Sequence, residues 1–464
     1  MQRPRWHLDP VSALTWVFAA LTCALAVFRF FDPDEIEHVH ATWHVLAGRL
    51  PFVDFFEHHH PLLWYTLAPV LAVAGESARA MIVFRLIFLG LTFAIARVTY
   101  LLAVETGEPP AAARLAVLLL LTATTFVSVA IEIRPDVPQM LFASLSALFV
   151  VRLFRTHARR HAMASGVMAA ISFLFLQKAL LLLVACPFLV ALGVLRWRLP
   201  WRAVVWWLAS FIAPVAIFAA WLVASRSWHD YLWSNWMLNA GFVGYHRLSV
   251  QNPFVLRELA RGAVFWVLAL AMGVSAARRG FRVTYAIPAV MGLALVCVVA
   301  VTNKLADRYL AAAVPFLAVA VAAWLAPVLA GRGTRLRLAW AVLGAIVAIS
   351  GFSMIRATGR TNLLQLAQIQ YVLDRTAPTG AVYDRGAAVN LFRPDVHYFW
   401  FLVGPDGPKA RRFTGQRRGD YQVCREVGAA AFVYNARGEL EQCGLLGRYG
   451  ETPFPLLFER RDRR

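Results

Sequence analysis

About eleven apolar runs organise the chain, at roughly 11–30, 79–103, 110–131, 137–155, 162–176, 179–195, 203–225, 259–277, 283–302, 308–329 and 337–355. A helix needs about 20 apolar residues to cross hydrocarbon about 30 Å thick. Lipid offers no partner for an open backbone, so each crossing must satisfy its own amides. The pattern excludes a soluble enzyme, a disordered chain and a fibrous repeat. It predicts an all-α polytopic membrane protein with about eleven transmembrane helices. Composition agrees: 60% of the 464 residues are hydrophobic and 16% are charged, against about 45–50% and about 25% in a soluble domain. The fifth and sixth runs are short and predict one tight hairpin around Gln177 and Lys178.

The chain carries 46 basic and 26 acidic residues, a net charge of +20. Such a balance also suits a nucleic-acid binder, but position argues otherwise. Four clusters (Arg152 to Arg160, Arg196 to Arg202, Arg278 to Arg282, Arg332 to Arg337) fall on one side of the membrane if each run crosses once, together with Arg3 and Arg5. The positive-inside rule makes that side cytoplasmic, giving an N-in/C-out topology. The opposite side then receives residues 31–78, the turns at 132–136, 177–178 and 303–307, the loop 226–258 and the tail from about 357. Residues 61–75 are apolar, but they are short and hold Pro69. Counting them as a span would put Arg152 to Arg160 and the N-terminus on opposite sides. They read as an interfacial helix, with Trp64 and Tyr65 at the depth such rings prefer. The first run shows no small-residue cleavage site and is expected to remain as a span.

The first outer loop, 31–60, holds Asp32, Asp34, Glu35, Glu37, Asp54 and Glu57, with six of the twelve histidines: His38, His40, His44, His58, His59 and His60. Pro33 before an acidic turn predicts a helix from Asp34 to about Ala47, closed by Gly48. On it, Asp34, Glu37 and His38 share a face. A solvated acidic loop is one reading of this segment. A binding or catalytic surface beside the membrane is the other. Carboxylate and imidazole together also suit a divalent ion (Mg, Mn or Zn), with Glu57 and His60 as candidate ligands, or a metal-transport loop.

Further polar groups fall on the same side. Arg134-Pro135-Asp136 sits at the outer end of the third run, where it could be a plain interfacial ion pair. Lys178, one of only three lysines, lies between two apolar runs, an expensive place without an aqueous cavity or a partner. Lys304, Asp307, Arg308 and Tyr309 mark the start of the tenth run. His246 and Arg247 stand out in the loop 226–258, whose tryptophans suit an aromatic belt. Acidic Asp34, Glu57 and Asp136 with cationic Lys178, Arg308 and Arg247 would suit a phosphate leaving group. Cations or a metal hold the phosphate while a carboxylate takes a proton from a hydroxyl.

These residues give the chain a resemblance to the GT-C superfamily of polytopic glycosyltransferases. Within it, the chain resembles the branch of protein O-mannosyltransferases and lipid A aminoarabinose transferases. Asp34-Glu35 after the first run matches the family's Asp-Glu pair. Gly48 to Pro51 and Phe56-Glu57-His58-His59-His60-Pro61-Leu62 match the end of its first loop. Asp136, the Phe175-Leu176-Gln177-Lys178 turn and, more weakly, Arg308-Tyr309-Leu310 to Pro315 complete the set. Relatives carry Lys-Pro-Pro or His-Pro-Pro where this chain has three histidines and one proline, so the phosphate-facing and metal-binding roles are open among them. The resemblance covers residues 1 to about 355. It implies inverting transfer of a sugar from a polyprenyl-phosphate donor to a lipid, glycan or protein acceptor on the extracytoplasmic side. Asp34 would be the catalytic base, and Asp136 would support it or help bind a divalent ion. Lys178, Arg308, His58 and Arg247 would hold the donor phosphate. Glu57 and His60 would bind any metal, with Glu35, Tyr309 and His246 in support. The implied setting is the inner (plasma) membrane and modification of a cell-envelope glycan or lipopolysaccharide.

Residues 1–356 are thus expected to form the transmembrane module, with 31–78 as its first outer loop. Residues 357–464 are expected to form a small extracytoplasmic α/β domain. A helix at 361–376 and β-like runs at 380–383, 397–402 and 429–434 predict that domain. Cys424 and Cys443 fall within it, either as a disulfide or as two buried thiols. A multi-pass transporter or flippase is the rival function; it predicts internal repeats and mid-span charges. A non-catalytic scaffold and a polymerase or ligase of lipid-linked glycans are the others.

Overall fold

The computed structural model describes residues 9–180, 189, 193–194, 199–240, 263–279, 288, 290–292, 310–400 and 420–461. Its helices are α1 (Pro10–Phe28), α2 (Pro33–Leu46), α3 (Leu62–Ala74), α4 (Ala80–Glu105), α5 (Pro110–Thr122), α6 (Thr124–Ala130), α7 (Asp136–Thr156), α8 (Arg159–Phe175), α9 (Arg202–Ala224), α10 (Trp228–Tyr231), α11 (Ala263–Arg279), α12 (Val314–Leu329), α13 (Thr334–Thr358) and α14 (Leu363–Arg375). Among the described residues, five are long and apolar enough to cross a membrane: α1, α4, α7, α9 and α13. The count is six if α5 and α6, bent by 71° at Ala123, make one span. The runs at 179–195 and 283–302 lie almost wholly outside the described residues.

Small residues let neighbouring helices approach closely. Ser146 on α7 and Ser165 on α8 pair their hydroxyls at 3.0 Å, and Trp207 on α9 donates to Ser165 at 3.0 Å. Gly166 makes room beside them, because a Cβ there would sit inside the radius of the Trp207 carbonyl. α3 has 13 residues and contains Pro69, about 20 Å of helix and too short to cross. Tyr65 is exposed as an interfacial ring would be, but Trp64 turns inward and is fully buried.

The tail forms a four-stranded sheet ordered β1 (Val382–Asp384), β2 (Phe432–Tyr434), β4 (Leu457–Arg460), β3 (Tyr449–Glu451). β1 and β2 are parallel, and the other pairs are antiparallel. Side chains alternate across it. Phe432 and Leu457 pack with Val372 of α14. Val433 and Phe458 face Val427 of α15 (Asp420–Ala429) and Leu440 of α16 (Arg437–Gln442). Cys424 and Cys443 are joined in a disulfide. The run at 397–402 forms no strand over its described part, His397 to Trp400. Two of its rings reach the first loop instead: Tyr398 donates to the Phe52 carbonyl, and Trp400 to that of Phe56 at 3.3 Å. The tail begins beside the end of α1, where Asn362 N donates to the Phe28 carbonyl at 3.0 Å.

Candidate active site

α2 carries the chemistry, and its start is fixed by its own sequence. Asp32 caps it, accepting from Asp34 N at 3.1 Å, while Glu35 reaches back to Asp32 N at 2.9 Å. With Pro33 in the first turn, this is a complete capping box. Gly48 follows its end at φ 79°. The sequence left room for a solvated acidic helix, but every residue from Glu35 to His44 is buried. Covering such a face with protein requires partners for each charge.

Two arginines supply most of them. Arg85 enters from the second turn of α4 and holds Glu35 through two bonds, at 2.8 and 2.6 Å. Its Nη2 also donates to the Phe30 carbonyl at 2.8 Å. Burial pulls the Glu35 carboxyl up, but the Arg85 guanidinium outweighs it and the net shift is downward. Arg134 pairs with Asp34 and donates to Asp136 at 3.2 Å. Buried itself, it is held firmly protonated by Asp34, Asp136, Glu132 and Asp32. Arg29 closes the network through Glu132. Asp34 and Asp136, 102 residues apart in sequence, thus share one guanidinium.

Next to them lies a compact group. His59 Nδ1 is 3.7 Å from Glu37 Oε1 and 3.5 Å from Glu57 Oε2, and His58 Nδ1 is 4.0 Å from Glu37. One ligand atom from each of Glu37, Glu57, His58 and His59 lies within 4.8 Å of the others. Burial pushes both carboxyls well above the usual range, and Glu37 is pushed further by the charges of Glu57 and Asp34. Burial, with His58 and His38 nearby, pushes the His59 imidazole well down. Glu37 Oε1, Glu57 Oε1 and His59 Nδ1 have no hydrogen-bond partner among the described residues. Orphaned carboxylate and imidazole atoms that face one another fit a divalent cation of the zinc or manganese type.

The expected metal pair was Glu57 with His60. His60 stands apart: its Nδ1 donates to the Phe173 carbonyl at 2.7 Å, and its Nε2 accepts from Tyr231 at 2.9 Å. Burial lowers it to about 4, so it stays neutral. The Gln177-Lys178 turn does meet the first loop. Gln177 donates to the His58 carbonyl at 3.1 Å and Asn239 to the same oxygen at 2.9 Å. The charge of Lys178 acts on His59 and on Asp136. Arg247, His246, Arg308 and Tyr309 lie outside the described residues.

Several residues at the site carry no expected role: Glu37, His38, Arg85 and Arg134; His59 is one of the three histidines among which the roles were open. His38 accepts from Trp64 on Nδ1 at 3.4 Å, leaving its Nε2 proton without a partner. Burial lowers it to about 3, which keeps the ring neutral. Arg85 had a signal, since a lone arginine inside the apolar run AMIVFRLIFLG must find a partner.

Residues 58–224 match the family model described as dolichyl-phosphate-mannose-protein mannosyltransferase. No curated protein sequence matches the chain. Solved structures do. ArnT from Cupriavidus metallidurans, bound to undecaprenyl phosphate, is 15% identical with a TM-score of 0.57, over 83% of this chain and 84% of that one. The oligosaccharyltransferase AglB from Archaeoglobus fulgidus, with an inhibitory peptide and a dolichol-phosphate, is 12% identical with a TM-score of 0.53, over 92% and 70%. A second structure of the Archaeoglobus fulgidus oligosaccharyltransferase, in complex with Zn and sulfate, is 11% identical with a TM-score of 0.51, over 90% and 67%. The chain is therefore a helical membrane protein with the GT-C fold, and its residues 58–224 carry the pattern of the dolichyl-phosphate-mannose-protein mannosyltransferase model.

Proposed function

We propose that the chain is a membrane glycosyltransferase that moves a sugar from a polyprenyl-phosphate donor to an acceptor hydroxyl or amine on the extracytoplasmic side of the inner membrane. The observation that carries the reading is the meeting of three distant segments. Asp34, Asp136 and the Glu57–His59 group lie together, with Lys178 beside them. The lipid phosphates bound to ArnT and AglB support the donor class.

In this reading the Asp34 carboxylate takes the acceptor proton. The acceptor atom bonds to the anomeric carbon as the carbon–oxygen bond to phosphate breaks, and polyprenyl phosphate leaves. A single displacement of this kind inverts the anomeric centre. Arg134 and Lys178 balance the charge that collects on the phosphate, with His58, Arg247 and Arg308 as further candidates. Arg134 has a second task. A carboxylate held by an arginine is a weak base, so donor phosphate that draws on Arg134 would release Asp34 as it binds. Glu37, Glu57, His58 and His59 would hold a divalent cation, which would supply positive charge to the leaving phosphate. Glu35, Tyr309 and His246 keep supporting roles.

The test is transfer by the purified chain, given polyprenyl-phosphate sugars and candidate lipid, glycan and peptide acceptors. Product whose anomeric configuration is opposite to the donor's is expected. Transfer that persists at full rate in Asp34→Asn would remove the base assignment, and movement of intact lipid-linked sugar without bond cleavage would favour a flippase.

A further inference from the structure

His38 is a buried histidine whose chemistry the steps above leave unused. It follows Asp34 by one turn of α2, on the same face. Arg134, Asp34, Asp136 and His58 are its charged or titratable neighbours, and the ring of His59 stands edge-on 4.9 Å away. His38 therefore lies between the Asp34–Arg134–Asp136 set and the group that can hold a cation. It is 0% exposed, and its Nε2 has no hydrogen-bond partner among the described residues.

Its tautomer is fixed from α3. Trp64 is fully buried, with the rings of Phe52 and Phe55 each 6.2 Å away. An indole N–H can only donate, and a buried one needs an acceptor. The acceptor is His38 Nδ1, at 3.4 Å. A ring nitrogen that accepts holds no proton, so the one proton of His38 is on Nε2. This is why Trp64 turns inward although its helix is short and apolar. An Nε2 that carries the proton is no metal ligand, because a cation there would require an imidazolate. It can only donate, and a buried donor is costly to leave without an acceptor.

The surroundings select the acceptor. Arg134 is a neighbour, and the charge of Lys178 reaches His59 and Asp136. A cation held by Glu37, Glu57, His58 and His59 would add to them. Such a place suits an anionic oxygen, and a polyprenyl-phosphate substrate brings one. An uncharged donor also suits the neighbouring base. A further cation beside Asp34 would weaken its carboxylate as a base, whereas a neutral N–H binds phosphate without doing so. We propose that His38 is a phosphate-binding residue, donating from Nε2 to a phosphoryl oxygen, and that Trp64 is the positioning residue that keeps the proton on Nε2. The proposal rests on the glycosyltransferase reading only for the identity of the ligand.

The test is binding of farnesyl phosphate, with farnesol as the control, to the full chain in lipid nanodiscs. His38→Leu should raise the dissociation constant for farnesyl phosphate by about tenfold to a hundredfold, the range for a hydrogen bond to a charged group. Binding of farnesol and of zinc should be unchanged. His38→Gln, which keeps an N–H, should recover most of the affinity. Trp64→Phe should let the proton pass between the two ring nitrogens and give an intermediate constant. A readout on the wild-type chain serves if the variants do not fold: with labelled histidine, the nitrogen resonances of His38 should report the proton on Nε2 and move with farnesyl phosphate but not with farnesol. Equal constants for wild type and His38→Leu would assign the N–H to a structural water and overturn the proposal. A proton found on Nδ1, or zinc lost in His38→Leu, would overturn it too. Phosphate binding with this dependence in a chain that transfers no sugar would uphold the inference and reject the transferase reading. Transfer in which His38 plays no part would do the reverse.

Discussion

Asp34 and Glu35 are neighbours in sequence, and each faces an arginine, yet they sit in opposite surroundings. The Glu35 side chain is 0% exposed and locked in two-pronged contact with Arg85. The Asp34 side chain is 33% exposed and shares Arg134 with Asp136. On the sealed side every donor of the guanidinium is spent on Glu35 and on backbone carbonyls, which ties α4 to the α1–α2 junction. On the open side the guanidinium is divided among several carboxylates, and water can reach one of them. Similar ion pairs thus form a sealed brace on one flank of α2 and an open pair, the proposed reactive centre, on the other. Burial and sharing separate the two.

The largest effect should come from the open side. Asp34→Asn should lower transfer by about 10²–10⁴-fold, the range for a lost general base, with the thermal midpoint nearly unchanged; a collapse of stability would make Asp34 a brace as well. Next comes the sealed side. Arg85→Met should cost about 3–5 kcal/mol, because it strands the Glu35 charge. Adding Glu35→Leu should recover much of that loss, as read by denaturation in detergent. A double variant no better than the single one would show that the backbone contacts of Arg85 matter more than the ion pair.

Metal should have a smaller effect, about 3 kcal/mol of stabilisation at a hundredfold excess over the dissociation constant. Its sign with pH is specific. Glu37 and Glu57 are pushed up by burial, so in chelator the folded chain holds protons that the unfolded chain releases. Stability from these two groups is complete below the ordinary carboxyl range and lost as the pH rises through their raised values. Zinc, which needs the same groups deprotonated, should flatten or reverse that slope in a melting series. Identical slopes with and without zinc would disqualify the group as a metal site. The smallest effect belongs to an exposed pair far from α2. Arg155→Ala, which removes a half-exposed partner of Glu105, should change stability by less than about 1 kcal/mol.

The readable parts of this molecule are those governed by local rules. Pro33, the acidic turn and Gly48 announce α2, and the short apolar run with Pro69 announces a helix that does not cross. The match of the Glu57 loop with the Lys178 turn was legible through the resemblance. Long-range pairing was not. Nothing near Asp34 in sequence says that its partner is Arg134, or that His58 and His59 rather than His60 face Glu57. Three consecutive histidines on an irregular segment point three ways, and only the positions of Phe173, Tyr231 and Glu37 sort them. The tail's role was hidden for a related reason. His397 to Trp400 has the composition of a strand, but its rings are used to hold another segment, a choice that no strand propensity encodes.

The crossing of α8 on α9 has a further consequence. At Gly166 the Trp207 carbonyl occupies the space of a Cβ. One added methyl there would push apart two helices that Ser165 and Trp207 stitch together. Because α8 ends at Phe175, just before the turn that carries Gln177 and Lys178, such a shift would be delivered at the membrane surface as a tilt. The position therefore tolerates almost no variation in side-chain size, although it takes no part in the site on α2, and a library of substitutions should mark it as intolerant alongside the acidic residues themselves.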